Sequence, residues 1–452
     1  MMNKSMQRRQ FLKRALYLGA GVSLVNSPLI FASEQDLNSQ TIDKTGYKAL
    51  VCIDLSGGND SANMLVPYSL SAYESYKQLR TNVALEREQL LPINPAGMSE
   101  QSLALHPSLT GIQQLFTQEQ VAFVANVGPM VTNAGAIGVT PKRGSHRNQQ
   151  QYWQGLDPVQ AATSKQGWQG LTADLYQGSH QMNSSISGKN VWQTGRYKSA
   201  YVMGENGPED FINHDNDQLE ALISELADDA MHHDNALVSE YSYNDQNARL
   251  LSSEMKQRLF SEAVNGQIDN LNMALPANKL GRRFEMVLRS LLANDTTTTS
   301  RQSFYIKHGG YDFHSDMLVR QAKKLTELND AIVAFQAALA QFNLTDQVTS
   351  FTISDFGRSS TTNGTGTAHG WGGHQMIIGG AVAGGTVYGK MPNMAVGSDD
   401  LTQDKGIMIP TTAVDQYSAT LAMWFGVPQS RLEEVLPNID LFSNKNLGFM
   451  RT

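Results

Sequence analysis

The chain has 452 residues, of which 17% are charged, and carries a net charge of −7 without a basic stripe. That balance gives no electrostatic ground for binding nucleic acid or an anionic membrane, and beyond the N-terminus no apolar run approaches the roughly 20 residues that span a bilayer. The length exceeds what one simple core usually holds, so one large globular domain, or a core domain with an insertion, is expected.

At the N-terminus, Arg8-Arg9-Gln10-Phe11-Leu12-Lys13 precedes a short, weakly apolar run from Ala15 to Val25 that Gly19 and Gly21 interrupt. The pattern predicts a twin-arginine export signal over residues 1–32, cleaved near Ala32, and not a membrane span; an amphipathic basic segment is the alternative. The expected location is periplasmic or extracellular, with the twin-arginine translocase as partner during export. That route carries folded proteins, often because a metal or cofactor is inserted first. Cys52 is the sole cysteine, so no intramolecular disulfide can form, and its apolar setting predicts a small core residue.

Ala49 to Ile53 reads as a buried strand emptying into Asp54-Leu55-Ser56-Gly57-Gly58-Asn59-Asp60. The double glycine is either a plain turn or a cradle of free N–H groups for an anion. Leu109, Ile112, Leu115 and Phe116 mark a helix, Val121 to Ala125 a second strand, and Gly128 to Gly144 a loop. Ser145-His146-Arg147-Asn148 then opens a helix toward Tyr152 and Trp153. Ser145 suits an N-cap, and a hydroxyl in that positive field also suits a nucleophile for phosphate or sulfate esters.

From about 215 to 298 the pattern is mostly helical, with breaks near Asn265 and Pro276, and predicts a helical insertion or cap over the sheet. His232-His233 within it reads as a pair of solvated side chains. Ser303 to Ile306 is a third strand, leading into Gly309-Gly310-Tyr311-Asp312-Phe313-His314-Ser315-Asp316, and Leu318 to Phe342 is a long amphipathic helix. Val348 to Ile353 and Met376 to Ile378 read as buried strands flanking a polar, glycine-rich loop that holds Asp355, Arg358, His369 and His374.

Strand–helix alternation of this kind predicts an α/β fold: a doubly wound, mostly parallel sheet flanked by helices. Acid or imidazole groups then gather at three strand ends, Asp54, Asp312 with His314, and Asp355, on the edge where such sheets bind ligands. Turns and caps alone account poorly for that convergence, so a metal site is expected.

These segments, together with Pro67-Tyr68, Leu105-His106-Pro107, Ser145-His146, Ser354-Asp355-Phe356-Gly357-Arg358, His369-Gly370-Trp371-Gly372-Gly373 and Asp415 to Leu421 with Trp424-Phe425-Gly426, resemble the DUF1501 family. That family is itself similar to the alkaline phosphatase and sulfatase superfamily. The resemblance covers nearly all of residues 33–452. It implies an alkaline-phosphatase-like sheet with two divalent metals or a remnant of them, zinc first, with manganese, magnesium or calcium as alternatives. It implies Asp54 as a ligand after the first strand, Ser145 at the nucleophile position, and Asp312 with His314 or Asp316 as one ligand pair. Asp355 and His369 complete the set. His374 is expected as an outer ligand without a firm superfamily counterpart, and in an active site Arg358 would steady the anionic group.

Departures from the pattern thin the ligand set. Phe356 stands where the superfamily has a His after the acid, the family more often has Glu at Asp355, and Ala368 replaces an acid. One metal is therefore expected rather than two. The formylglycine-forming motif of sulfatases is absent around Ser145 and Cys52. The expected function is hydrolysis of a small anionic ester of phosphate or sulfate. A non-catalytic periplasmic binding or assembly factor on the same fold is the alternative.

Overall fold

The structure, a computed structural model, describes residues 46–98, 102–130, 144–155, 166–176, 182–209, 225, 236–296 and 299–451. The export signal, the His232-His233 pair and most of the loop before Ser145 lie outside them. The chain divides into two compact units, Met1–Asp36 with Asp210–Glu254, and Leu37–Glu209 with Met255–Thr452. Described residues of the first unit are helical: Glu225 and the part of helix Ala236–Leu259 that reaches Glu254.

In the second unit the strands are β1 (Lys48–Leu55), β2 (Leu65–Pro67), β3 (Leu91–Ile93), β4 (Leu103–Leu105), β5 (Val121–Gly128), β6 (Asn183–Ser185), β7 (Tyr201–Val202), β8 (Arg301–Lys307), β9 (Val348–Ser354), β10 (Arg358–Thr362), β11 (Thr367–His369), β12 (Gly373–Ile378), β13 (Val387–Tyr388) and β14 (Thr412–Ala413). The central sheet has the order β13-β5-β12-β9-β1-β8-β6-β7, with β14 also on β5. Its pairs are parallel except that β12 runs antiparallel to both β5 and β9. The fold is α/β with a mostly parallel sheet.

Both faces of this sheet are covered, which is why its strands read as continuous apolar runs. Alternate residues of a strand face opposite ways. Leu50 and Cys52, with Ala122, Val124, Tyr305, Phe351 and Ile377, meet Tyr152, Trp153, Trp168 and Tyr417 from helices His146–Gly155, Trp168–Leu175 and Val414–Phe425. Each large side chain so buried contributes about 1.5–3 kcal/mol. On the opposite face, Phe123 packs against Phe116 of helix Thr110–Thr117, with ring centroids 6.0 Å apart. Helices Lys279–Leu292 and Met317–Gln341 join there through Phe284 and Phe335, 4.8 Å apart.

Two local expectations change. The polar stretch between β9 and β12 is not a plain loop, because β10 and β11 pair within it as an antiparallel hairpin that sets Arg358 opposite His369. The helical break expected near Asn265 falls at Phe260–Ser261: Ser261 Oγ accepts the N–H of Val264 at 3.4 Å and starts helix Glu262–Asp269, which contains Asn265. Among the described residues no helix is long and apolar enough to cross a membrane.

Asp415, fully buried at the start of helix Val414–Phe425, takes one hydrogen bond from Tyr152 Oη at 3.2 Å, and burial pushes its carboxyl up to about 7. The folded chain keeps this proton to about pH 7 while an unfolded chain releases it near pH 4, so Asp415 opposes folding increasingly as pH rises through that window. Asp415→Asn should flatten the decline. Urea unfolding at about pH 5 and about pH 8 is expected to show a loss smaller than wild type by on the order of 2–3 kcal/mol.

Candidate metal centre

The site is placed by β1 lying between β8 and β9, all three parallel and in register, with Leu55 beside Ser354 and Asp54 beside Lys307. The segments that follow each strand therefore leave the same edge together. Ser56 ties them: its N–H donates to His308 O at 3.1 Å, and its carbonyl accepts the N–H groups of Gly310 and Tyr311 at 3.2 Å each. Gly57 has φ +114°, and a Cβ there would lie 2.6 Å from Asp312 N. Only glycine lets the two backbones approach so closely.

Asp312 is the centre of the cluster. Its Oδ1 accepts from Arg358 Nη1 at 2.7 Å and lies 3.0 Å from His314 Nε2 and 3.2 Å from His369 Nε2, while Oδ2 is 3.6 Å from His146 Nε2. Burial by itself would raise this carboxyl. The Arg358 bond and charge, with the two imidazoles, outweigh it and hold the group below the ordinary carboxylate range.

Hydrogen bonds on the far side of two rings set their tautomers. His369 Nδ1 lies 2.8 Å from the carbonyl of Gly144, which can only accept, so Nδ1 carries the proton and Nε2 presents a lone pair. His146 Nδ1 lies 2.6 Å from Asp355 Oδ2, which leaves its Nε2 free in the same way. That bond to Asp355 raises the His146 pKa against the pull of burial. Donor atoms of His146, Asp312 and His369 all lie within 4.8 Å of one another. Two imidazole nitrogens and a carboxylate oxygen form a donor set that zinc accepts in catalytic sites. The residues present fit one divalent ion.

His146 is the ligand type that sequence reasoning passed over. It sits directly after Ser145, which caps the helix: Ser145 Oγ accepts the N–H of Asn148 at 3.4 Å. Its signal was the Ser145-His146 pair at a helix start. His314 reaches the cluster on its exposed side, and its Nε2 is 3.0 Å from His369 Nε2. Burial, with Arg358 and the neighbouring imidazoles, lowers its pKa despite Asp312.

Other expected ligands are held elsewhere. Asp355 is buried, and its oxygens take His146 Nδ1 at 2.6 Å, Gly57 N–H at 3.2 Å and Gln150 Nε2 at 2.9 Å, contacts that orient His146. Asp54 lies beneath, accepting from Tyr305 Oη at 2.5 Å, and burial together with the charge of Asp355 pushes it up to about 7. Asp316, at φ +50°, is exposed at the start of helix Met317–Gln341, where its carbonyl accepts Arg320 N–H at 3.0 Å. His374 is buried in β12 with Nδ1 accepting Asn126 N–H at 3.1 Å, and burial lowers it to about 4. Arg358, expected to grip an anion, is buried and spent on Asp312, Gly57 O and Thr367, so it positions Asp312.

Phe356 closes one wall. Its ring centroid is 4.9 Å from that of His146 and 4.7 Å from that of His369, so a hydrocarbon ring occupies the flank of the cluster.

A family profile whose description reads "Protein of unknown function (DUF1501)" matches residues 47–413 and takes in every residue of this cluster. The chain belongs to the DUF1501 family. No curated protein matches it in sequence. Similar solved structures include the zinc complex of the C-terminal periplasmic domain of EcEptC from Escherichia coli, 8% identical over 86% of this chain and 85% of that one, with a TM-score of 0.35. The PsFucS1 sulfatase from Pseudoalteromonas sp. is 12% identical over 90% and 74% of the two chains, with a TM-score of 0.36. The alkaline phosphatase of the Antarctic bacterium TAB5 is 12% identical over 74% and 92%, with a TM-score of 0.30. Likeness at this level speaks to neither substrate nor mechanism.

Replacing Asp355 by Asn should bring the His146 pKa down toward the ordinary value, since the carboxylate bond is what raises it. Titration of the His146 ring protons by NMR in metal-free protein checks this; a pKa that stays raised would show that another group controls the ring.

Proposed function

We propose that this DUF1501 chain is an exported, metal-dependent hydrolase of small phosphate or sulfate esters that works with a single divalent ion, zinc before manganese, magnesium or calcium. The observation that supports it most directly is the convergence of His146, Asp312 and His369 at the carboxyl edge of β1, β8 and β9. The two imidazoles would hold the ion through Nε2 and Asp312 through Oδ2. A bound divalent ion supplies Lewis acidity, polarising an ester oxygen and making a nearby hydroxyl or water more acidic.

The remaining work falls to the chain itself. Asp355 and Gly144 fix the two rings, and Arg358 fixes Asp312. Ser145 offers a hydroxyl at the start of helix His146–Gly155, where the positive end of the helix dipole favours a phosphate or sulfate. Attack by Ser145 Oγ on phosphorus or sulfur would form a seryl ester and release the alcohol with a proton. Water would then cleave that ester and restore the hydroxyl.

Phe356 favours a second reading. With an aromatic ring on the flank of the cluster and three donors in the ligand group, the same fold could serve as a non-catalytic periplasmic binding or assembly factor. Elemental analysis of the exported protein, with hydrolysis of p-nitrophenyl phosphate and p-nitrophenyl sulfate, separates the two. The hydrolase is expected to hold about one ion per chain and to cleave one probe. Asp312→Asn should lose both properties by more than the roughly 10–100-fold typical of an outer partner. Activity unchanged in Asp312→Asn sinks the mechanism, and bound metal without hydrolysis of either probe supports the binder.

A further inference from the structure

We infer that Asp60 and Arg80 are positioning residues for Asp312 and act on it through Thr367 and Arg358. The inference rests on the metal-site reading above, because it states how that site is kept in shape.

Asp60 and Arg80 are both fully buried, and Arg80 Nη2 donates to Asp60 Oδ2 at 2.9 Å. The hydroxyl of Thr367 donates to the same oxygen at 3.1 Å and accepts from Arg358 Nε at 2.9 Å. Arg358 then donates to Asp312 Oδ1 at 2.7 Å. The direction of every bond is fixed. Guanidinium groups only donate, carboxylates only accept, and the single proton of Thr367 Oγ1 is spent on Asp60, which turns a lone pair toward Arg358. Along the chain the charges alternate: Arg80 positive, Asp60 negative, Arg358 positive, Asp312 negative.

Neutralising Arg80 would need only Asp60. The second donor on Asp60 Oδ2, Thr367, is what links this pair to the site. Arg80 also donates through Nη1 to the carbonyl of Ser359 at 3.2 Å and through Nε to Asn63 Oδ1 at 3.1 Å. Gln321 Nε2 donates to the carbonyl of Asp60 at 2.6 Å. Thr367 and Ser359 lie on β11 and β10, the hairpin that carries both Arg358 and His369. One buried assembly thus sets the direction of Asp312 and the seat of His369 together.

The test is zinc affinity of the purified full chain, measured by competition with a chelator, beside its thermal unfolding. Thr367→Val keeps the side-chain shape and removes the hydroxyl, and is expected to weaken zinc binding about 10–100-fold. Thr367→Ser should restore wild-type affinity. Asp60→Asn, which keeps an oxygen for Thr367 but drops the charge, should also bind zinc more weakly and serves if Thr367→Val does not fold. Wild-type affinity in Thr367→Val, or affinity in Thr367→Ser as poor as in the valine variant, overturns the inference while leaving the metal site standing. A wild-type chain that takes up no zinc removes the metal-site reading and the inference with it.

Discussion

A guanidinium enclosed in protein must be met by negative charge and hydrogen bonds, because leaving it unpaired costs several kcal/mol. Arg358 is such a group, and the acid that answers it is Asp312. The pairing pins the carboxylate at the mouth of the sheet with one oxygen committed inward and the other facing His146. A buried charge thus decides where a half-exposed one stands. The close approach of Gly57 to Asp312 and the hairpin of β10 and β11 follow from the same requirement, since each brings backbone up to the two side chains.

Beneath that pair lies a second electrostatic arrangement of opposite character. Asp54 and Asp355 are both buried at adjacent strand ends, where two negative charges would repel in a poorly solvated interior. Asp355 is met by His146, Gly57 and Gln150, whereas Asp54 has Tyr305 and is pushed toward holding its proton. Two acids supplied by neighbouring strands therefore take different roles: one orients an imidazole, and the other is a hydrogen-bonded group in the floor.

Much of the fold was legible because parallel strands covered on both faces leave unbroken apolar runs, and β1, β8 and β9 run on into Gly57, Gly309 and Asp355. Asp312, His314 and His369 were legible as metal-ligand types on loops at that edge. His146 was not, because its role depends on a contact with Asp355 made 209 residues away, and locally it looks like the first residue of a capped helix. Arg358 misled for a related reason: an arginine in a polar loop suggests an exposed fork, and only the hairpin encloses it. Asp316 follows His314 at a spacing that suits a chelate, yet a left-handed backbone turns it into a helix start. His374 was drawn inward when β12 paired antiparallel with β5 and β9.

Cys52 sits at the middle of β1 with no exposure to solvent, and it is the sole sulfhydryl of the sequence. Refolding in vitro consequently needs no redox couple, and no mispaired bridge can trap an intermediate within one molecule. The same atom is a built-in clock: a thiol reagent reaches it only when the helices over that face of the sheet lift away, so the labelling rate reports how often the core opens.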